Sequence, residues 1–392
     1  MQRITSKLIN YLDTRQIFKI YLFTQKEKEE NEYEISTNIK RVIIKNPKDT
    51  YLLIRNIYKN KIDIFIYQFP NQKEIKVLNN LQNVKTIFYI HSSFFYWFYA
   101  KFYKVLKIYN EYKNSKYIVS LIPLEHDYLF KKWGIKSVLF ENFLTYDYNS
   151  IIPSDLSKNN ILLIGRGRSK LKRFEIGIES IEYIRNKIAD AKLLIISKII
   201  GVEHLQNYID SLDLNNNIKF VNYSSDPSIY FKYASLNFLT SISECYPLVL
   251  SETKIHGIPT IILGLDYIAL AKKGTIIIYD DSPETLAKES IKILSIKKYK
   301  KNLARDARFS MKKFNNSRLF HKWEKLLISV YNNDENYYKY FNETENNKSQ
   351  LYNILLRQTN LIKKRIPELK NISISDLENL ININISKIII KN

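Results

Sequence analysis

The 392-residue sequence holds a single cysteine, Cys245, which excludes a disulfide framework and favours a reducing compartment. No stretch reaches the eighteen or so apolar residues that a spanning helix requires. The nearest, "TIFYIHSSFFYWFYA", is about fifteen long and contains His91 and two serines. The opening "MQRITSKLINYL" has no secretory core, so a cytoplasmic protein is expected. No short period repeats along the chain.

What is present is globular in kind: 45% apolar and 26% charged residues, in a chain long enough for two domains with sizeable cores. The net charge of +22 raises a nucleic-acid reading. The basic residues are spread from end to end, however, among abundant Lys, Asn, Ile and Tyr, as an A- and T-rich coding bias would produce. Nucleic acid is therefore not expected as a partner. Scattered lysines suit weak attraction to an anionic membrane surface better.

From residue 160 onward, apolar runs of strand length alternate with helical patterns. "NILLIG" precedes a helix expected from Phe174 to about Ile188, whose Phe174, Ile178, Ile181, Ile184 and Ile188 share one face. "KLLIIS", "IKFVNY", "LNFLTS", "PTIIL" and "TIIIYD" follow, separated by helices near 202–212, 227–234 and 247–256. Short, doubly buried strands between helices indicate a parallel sheet covered on both faces, with its ligand at the C-terminal strand ends. The first part repeats the style in "FKIYLF", "KRVIIK", "IDIFIYQF", "KTIFYIH" and "KYIVSL". The expected fold is thus α/β with two Rossmann-like domains, 1–148 and 160–330. A polar, turn-rich linker, 149–159, joins them, and an extension, 331–392, follows that is expected to be helical.

"SECYPLVLSETKIHGIPTI", Ser243 to Ile261, concentrates the chemistry. Pro247 at a helix start, Gly257 as a stop and Pro259 beyond it place Glu244 in the preceding loop and Glu252 inside the helix. The free N–H groups and dipole of the helix start favour an anion such as phosphate. A carboxylate beside such a site suits sugar hydroxyls, because ionised Glu only accepts hydrogen bonds. The second cluster is "ILLIGRGRSKLKRFEIGIESI", Ile161 to Ile181. Gly165 and Arg166 follow the strand directly, and Lys172 and Arg173 precede the next helix, so their charges can converge above the sheet edge on a diphosphate.

With these motifs the chain resembles the retaining GT-B glycosyltransferases of the large family 4 class, which includes sucrose synthase-like and phosphatidylinositol mannosyltransferase-like enzymes. The resemblance runs from about Ile17 to Tyr331. It rests on "GRGRSKLKRF", "SECYPLVLSE" and "HGIPTI", with "FYIHSS", "FVNYSSDPSIYFKYASL" and "FNNSRLFHKWEKLL" in support. It implies two Rossmann-like domains whose sheets face each other across a cleft, and transfer of a hexosyl-type sugar from a UDP- or GDP-sugar to a glycan or lipid-linked acceptor, with retention of configuration. Arg166 and Lys172 resemble the pair that binds the donor diphosphate. Glu244 resembles the residue holding hydroxyls of the transferred sugar, and Glu252 the acceptor from the ribose. Backbone amides of Tyr246, Pro247, Leu248 and Val249 correspond to the segment touching phosphates and sugar, although Pro247 itself has no N–H to give. His91 matches a family histidine near the reacting carbon, and as a lone histidine it also reads as a core residue.

No metal is expected, since cations and helix amides offset the leaving-group charge. Nor does the sequence contain the Asp-x-Asp with which metal-dependent transferases hold a diphosphate. Three departures stand out. The usual first strand and Gly-rich loop are missing, because "ITSKLINYL" already reads as the helix that follows them. Cys245 and Tyr246 replace the usual Gly and Phe, and Arg173 stands where Gly is common. Two other readings remain: a catalytically silent module that binds a nucleotide-sugar or a partner protein, and a sugar-nucleotide epimerase. "SSFFYWFYAKFYKVLKIYNEYK", Ser92 to Lys113, mixes aromatics and lysines and suits either a helix lying on a membrane or a buried one.

Overall fold

A computed structural model describes residues 2–25, 27, 33–46, 49–68, 71–93, 107–166, 170–198, 201–222, 228–263, 273–334 and 371. The chain forms two compact units: Met1–Phe143 with Asn315–Asn346 and Asn371–Asn392, and Leu144–Phe314 with Asn347–Lys370.

In the first unit, helix α1 (Gln2–Thr14) is followed by strands β1 (Tyr21–Thr24) and β2 (Lys40–Ile43), helix α2 (Thr50–Lys59), strand β3 (Ile64–Tyr67), helix α3 (Gln72–Asn79) and strand β4 (Lys85–Tyr89). Strand β5 (Tyr117–Ser120), helix α4 (Pro123–Trp133) and the two-residue β6 (Val138–Leu139) complete the series. All strands pair in parallel, in two separate sheets: β1-β2 and β3-β4-β5-β6. The five strands expected from sequence are present, and β6 was too short to signal. Ile4, Leu8 and Leu12 recur every fourth residue along α1 and are all buried. Helix α1 begins at Gln2, so no strand precedes it among the described residues.

The second unit carries strand β7 (Asn160–Ile164), helix α5 (Phe174–Arg185), strand β8 (Lys192–Ser197), helix α6 (Glu203–Ser211), strand β9 (Ile218–Asn222), the short helix α7 (Ser228–Phe231) and strand β10 (Ala234–Leu239). Helix α8 (Leu248–Ile255), strands β11 (Thr260–Leu263) and β12 (Thr275–Ile278), and helices α9 (Pro283–Ser295) and α10 (Lys297–Met311) follow. One six-stranded parallel sheet results, in the order β12-β11-β10-β7-β8-β9. Its central strand β10 is buried at all six positions although Ser235 and Asn237 interrupt its apolar residues, and Ser235 Oγ is satisfied by the carbonyls of Leu156 and Lys158, at 3.0 and 2.6 Å. On α5, Phe174, Ile178, Ile181 and Ile184 all face the core, and full burial of such a side chain contributes about 1.5–3 kcal/mol. Gly177 on the same helix lies against β7, where a Cβ would come within 2.9 Å of Leu163 Cδ2. Only glycine permits that approach without repacking.

Helix α11 (Asn316–Tyr331) was expected to end the second domain, and it groups instead with the first unit. Its Trp323 is fully buried and meets Tyr89 and Phe140 edge-on, at centroid distances of 5.0 and 4.9 Å. Glu324 of the same helix accepts from Tyr11 and from Arg15 on α1's side, each at 3.0 Å. The polar, periodic look of α11 carried no sign of which core it would join. The extension after Asp334 lies outside the described residues apart from Asn371, and so does most of the aromatic segment 92–113. The described end of that segment, 107–112, is helical. It turns Tyr109 and Tyr112 inward, Tyr109 donating to Glu125 at 2.9 Å and Tyr112 meeting Phe88 edge-on.

Candidate functional site

Two loops at the C-terminal ends of the neighbouring strands β7 and β10 meet in the second unit. The chain leaves β7 through Gly165 and Arg166, forms a single 3-10 turn at Lys170–Lys172, and enters α5 through Arg173. After β10 it passes Thr240 to Tyr246 and enters α8 at Leu248, with Pro247 as the cap residue. Adjacent parallel strands bring these loops side by side, and polar contacts lock them together. Thr240 Oγ1 donates to the Lys172 carbonyl at 2.7 Å, and the Ile242 N–H donates to the Leu171 carbonyl at 2.8 Å.

The side chains complete the junction. Lys172 Nζ forms an ion pair with Glu244 Oε1, and Ser241 Oγ donates to the same oxygen at 2.7 Å. Both partners are only partly buried, with side-chain exposures of 20% and 14%, so the pair lines an accessible surface rather than the core. Gly165 makes room for the lysine. A Cβ there would meet Lys172 Cδ at 3.3 Å.

Arg173 departs from the expected convergence of cations. Its backbone is left-handed, with φ 45° and ψ 53°, a region that favours glycine, and this is the physical reason for a glycine at such a position. Its side chain turns to Asp281 and to the Thr240 carbonyl, which it reaches through Nε at 3.1 Å. The guanidinium thus fastens the two loops to the segment before α9 and is already neutralised. Arg166 remains exposed directly after Gly165.

Helix α8 spans Leu248–Ile255, within a residue of the expected bounds. Pro247 has φ −70° and serves as N-cap rather than first helical residue, and Gly257 stops the helix with φ 69°. The N–H of Leu250 already bonds to the Pro247 carbonyl at 3.1 Å, so the amides of Leu248 and Val249 are the ones at the helix start. Tyr246 is buried at 8% exposure. Glu252 lies one turn into the helix at 3% exposure, and its Oε1 accepts from Thr145 Oγ1 at 2.5 Å. A carboxylate this deep is tolerated only with such partners. Thr145 was not singled out by sequence, since it precedes the linker with no motif around it. Lys254, fully buried on the same helix, is pushed down to about 7 by its burial.

His91 belongs to the first unit, two residues past β4. Its ring lies 3.9 Å from that of Tyr89, and burial holds its imidazole at about 3, so it is neutral at ordinary pH. Thus Gly165, Arg166, Lys172, Glu244, Tyr246, Pro247, Leu248, Val249 and Glu252 are all carried by the two loops and one helix of the second unit. Among the described residues no three of His, Cys, Asp and Glu come together in a way that could hold a metal ion.

Two α/β units built on parallel sheets, with loops gathered at the C-terminal strand ends, define the GT-B fold, and comparison with known proteins agrees. Residues 148–309 match the family model described as glycosyl transferases group 1. Sucrose-phosphate synthase of Thermosynechococcus elongatus superimposes with a TM-score of 0.70 at 14% identity, over 84% of this chain and 92% of that one. HepE of Anabaena, solved with UDP-glucose, gives 0.65 at 12% identity over 83% and 96%. A glycosyltransferase of Rickettsia africae gives 0.63 at 16% identity over 85% and 95%. In sequence, an uncharacterized glycosyltransferase of Haemophilus influenzae is 27% identical over 117 residues, 29% of this chain. That match spans 33%, about a third, of the relative's length.

Proposed function

We propose that this chain is a glycosyltransferase that moves a hexosyl-type sugar from a UDP- or GDP-sugar to a glycan or lipid-linked acceptor, with retention of configuration and without a metal ion. The observation that carries the reading is the Lys172–Glu244 pair, which lies at the ends of adjacent strands with α8 starting four residues beyond the glutamate. Cleaving a sugar–phosphate bond places negative charge on the departing diphosphate. Lys172, Arg166 and the amides of Leu248 and Val249 are preorganised cations and dipoles for that charge. Glu244 is then released from the lysine to accept from hydroxyls of the transferred sugar, and it serves as a binding group, not a nucleophile. Glu252, with Oε1 engaged by Thr145, offers its carboxylate to a ribose. His91 enters the proposal through the resemblance alone, as a histidine near the reacting carbon, and its ring is held neutral by burial. A lipid-linked acceptor would place the protein at an anionic membrane surface. Among the described residues no helix is long and apolar enough to cross a membrane.

The test is incubation of the purified protein with a panel of UDP- and GDP-sugars plus acceptors, reading nucleotide release and product anomer. HepE is solved with UDP-glucose, which makes UDP-sugars the first choice. Donor-dependent release that Lys172→Ala abolishes supports the proposal; an inverted product would overturn retention, and loss of activity on chelation would overturn metal independence. A second reading, a silent module that binds a nucleotide-sugar, draws on the division of the first unit's strands into two sheets. Binding of UDP without release from any donor would favour it.

A further inference from the structure

The bond from Thr145 to Glu252 belongs to a series of contacts that join residues 144–154 to helix α8 and the turn after it. Three residues farther along each segment, Arg308 of α10 bridges the two. Its Nη2 donates to the carbonyls of Tyr148 and Ile151, at 3.2 and 3.0 Å, and its Nη1 donates to the carbonyl of Ile255 at 2.5 Å. Beyond it the Ser154 N–H donates to the His256 carbonyl at 2.8 Å. Ile255 is the last residue of α8, where a carbonyl lacks an intrahelical partner and the dipole favours a cation. The same stretch covers a buried cluster of Leu144, Ile255 and Met311, against which Tyr148 and Ile151 pack, so main-chain groups there need partners. A planar guanidinium can serve several carbonyls in one geometry, which the point charge of a lysine matches less well. The guanidinium carbon also lies 4.7 Å from the centroid of the Tyr148 ring.

We propose that Arg308 is a positioning residue for the nucleotide. By fastening Tyr148 and Ile151 to the end of α8 it sets Thr145 Oγ1 against Glu252 Oε1, and the carboxylate is thereby held to accept from ribose hydroxyls. The inference rests on the ribose role proposed for Glu252. Thr145 lies between two fixed points: Leu144 is anchored in the buried cluster, and the Tyr148 carbonyl is tied to Arg308. Glu252 is 3% exposed, and a carboxylate this deep keeps one orientation only while its partner stays in place. The groups assigned to the diphosphate sit elsewhere, Arg166 and Lys172 on the other loop and the amides of Leu248 and Val249 at the opposite end of α8. Loosening the clamp therefore affects the ribose of a donor and not its phosphates.

The experiment compares the unaltered chain with Arg308→Met, Arg308→Lys, Thr145→Val and the double variant Arg308→Met with Thr145→Val. Calorimetry measures binding of UDP or GDP, whichever the chain takes, and of the analogue lacking both ribose hydroxyls. Hydrogen exchange reads residues 144–151 and strands β7 to β12. Arg308→Met is expected to bind the ribose nucleotide about three- to tenfold more weakly, as loss of one hydrogen bond at Glu252 implies, and the analogue within about twofold of the unaltered chain. Exchange at 144–151 should quicken while β7 to β12 stay protected. The double variant is expected to bind no more weakly than Thr145→Val, because both changes act on one contact, and Arg308→Lys to recover part of the loss. Unchanged affinity in Arg308→Met overturns the proposal, and so do penalties that multiply in the double variant. An equal loss for both nucleotides also overturns it, by marking a purely structural role. An unaltered chain that binds neither nucleotide, or both equally, removes the ribose role of Glu252 itself, and the inference with it.

Discussion

Replacing Arg173 tests whether the two site loops are held as described, because its backbone and side chain oppose each other energetically. The left-handed φ of 45° costs a side-chain-bearing residue about 1–2 kcal/mol. Against this stand the contacts to Asp281, at 2.6 and 3.1 Å, and to the Thr240 carbonyl at 3.1 Å. Hydrogen bonds to charged groups contribute about 1.5–3 kcal/mol each when shielded, but Asp281 is one-third exposed, so we take the low end for the pair and about 1 kcal/mol for the carbonyl. Arg173→Ala keeps the strain and loses the contacts, for a cost of about 3 kcal/mol. Arg173→Gly also relieves the strain, offset by the entropy glycine adds to the unfolded chain, for a cost of about 2–3 kcal/mol. All three tryptophans, Trp97, Trp133 and Trp323, fall in the first unit, so tryptophan fluorescence would miss the effect. Hydrogen exchange over 160–180 and 234–250 reads it directly. A cost below about 0.5 kcal/mol for Arg173→Ala, or a glycine variant clearly worse than the alanine one, would refute the reasoning.

Thr145→Val is expected to weaken UDP binding about three- to tenfold by removing the hydroxyl that fixes Glu252 Oε1, the loss of roughly 1 kcal/mol, and Thr145→Ser is expected to restore it; equal affinity in all three, by calorimetry, would count against a positioning role. Lys254 takes up its proton near 10.5 when unfolded and near about 7 when folded, so between these values the unfolded chain binds more protons and stability rises with pH. The full penalty, at most about 5 kcal/mol at 1.36 kcal/mol per pH unit, applies below pH 7. Lys254→Met should therefore stabilise the second unit at pH 6 and much less at pH 10, and urea unfolding followed by circular dichroism checks the difference. His91 is expected to stay neutral down to about pH 4, given a folded value of about 3, and nitrogen NMR of labelled histidines would contradict this by showing it titrate near 6.5.

Much of the second unit was legible because its physics is written locally. Strands buried on both faces are mostly apolar, so "ILLI", "LLII" and "TIIL" announce themselves, and the helices between them show their one-sided faces. The helix α8 could be bounded from Pro247 and Gly257 alone, since one presets the entry and the other takes the left-handed exit. What could not be read depends on contacts between distant segments. Nothing near Thr145 marks it as the partner of Glu252, 107 residues on. Nothing near Asp281 marks it as the partner of Arg173, 108 residues away. The cations of "GRGRSKLKR" look alike in sequence, yet one is paired with Glu244, another is spent as a clamp, and Arg166 is left exposed.

The separation of roles among these cations bears on how a diphosphate would be met. If Arg173 were a third free cation, the site would present more positive charge than one departing diphosphate needs, and the loops would repel each other when empty. With Arg173 neutralised by Asp281 and Lys172 by Glu244, two ion pairs engage the cations of the loops. The Lys172–Glu244 pair lies beside Gly165, whose lack of a side chain leaves room for the lysine at the end of β7. An arriving diphosphate would replace a carboxylate with another anion at the same ammonium, and the displaced carboxylate would become available to hydroxyls at the same moment. On the proposed function, donor binding would itself free Glu244 for the sugar. Glu244→Gln separates this coupling from simple attraction. The neutral amide leaves Lys172 uncompensated, so inorganic diphosphate should bind more tightly than to the unaltered chain while the sugar-bearing donor gains less or loses affinity. Equal changes for both ligands would show that the glutamate acts on the phosphates alone.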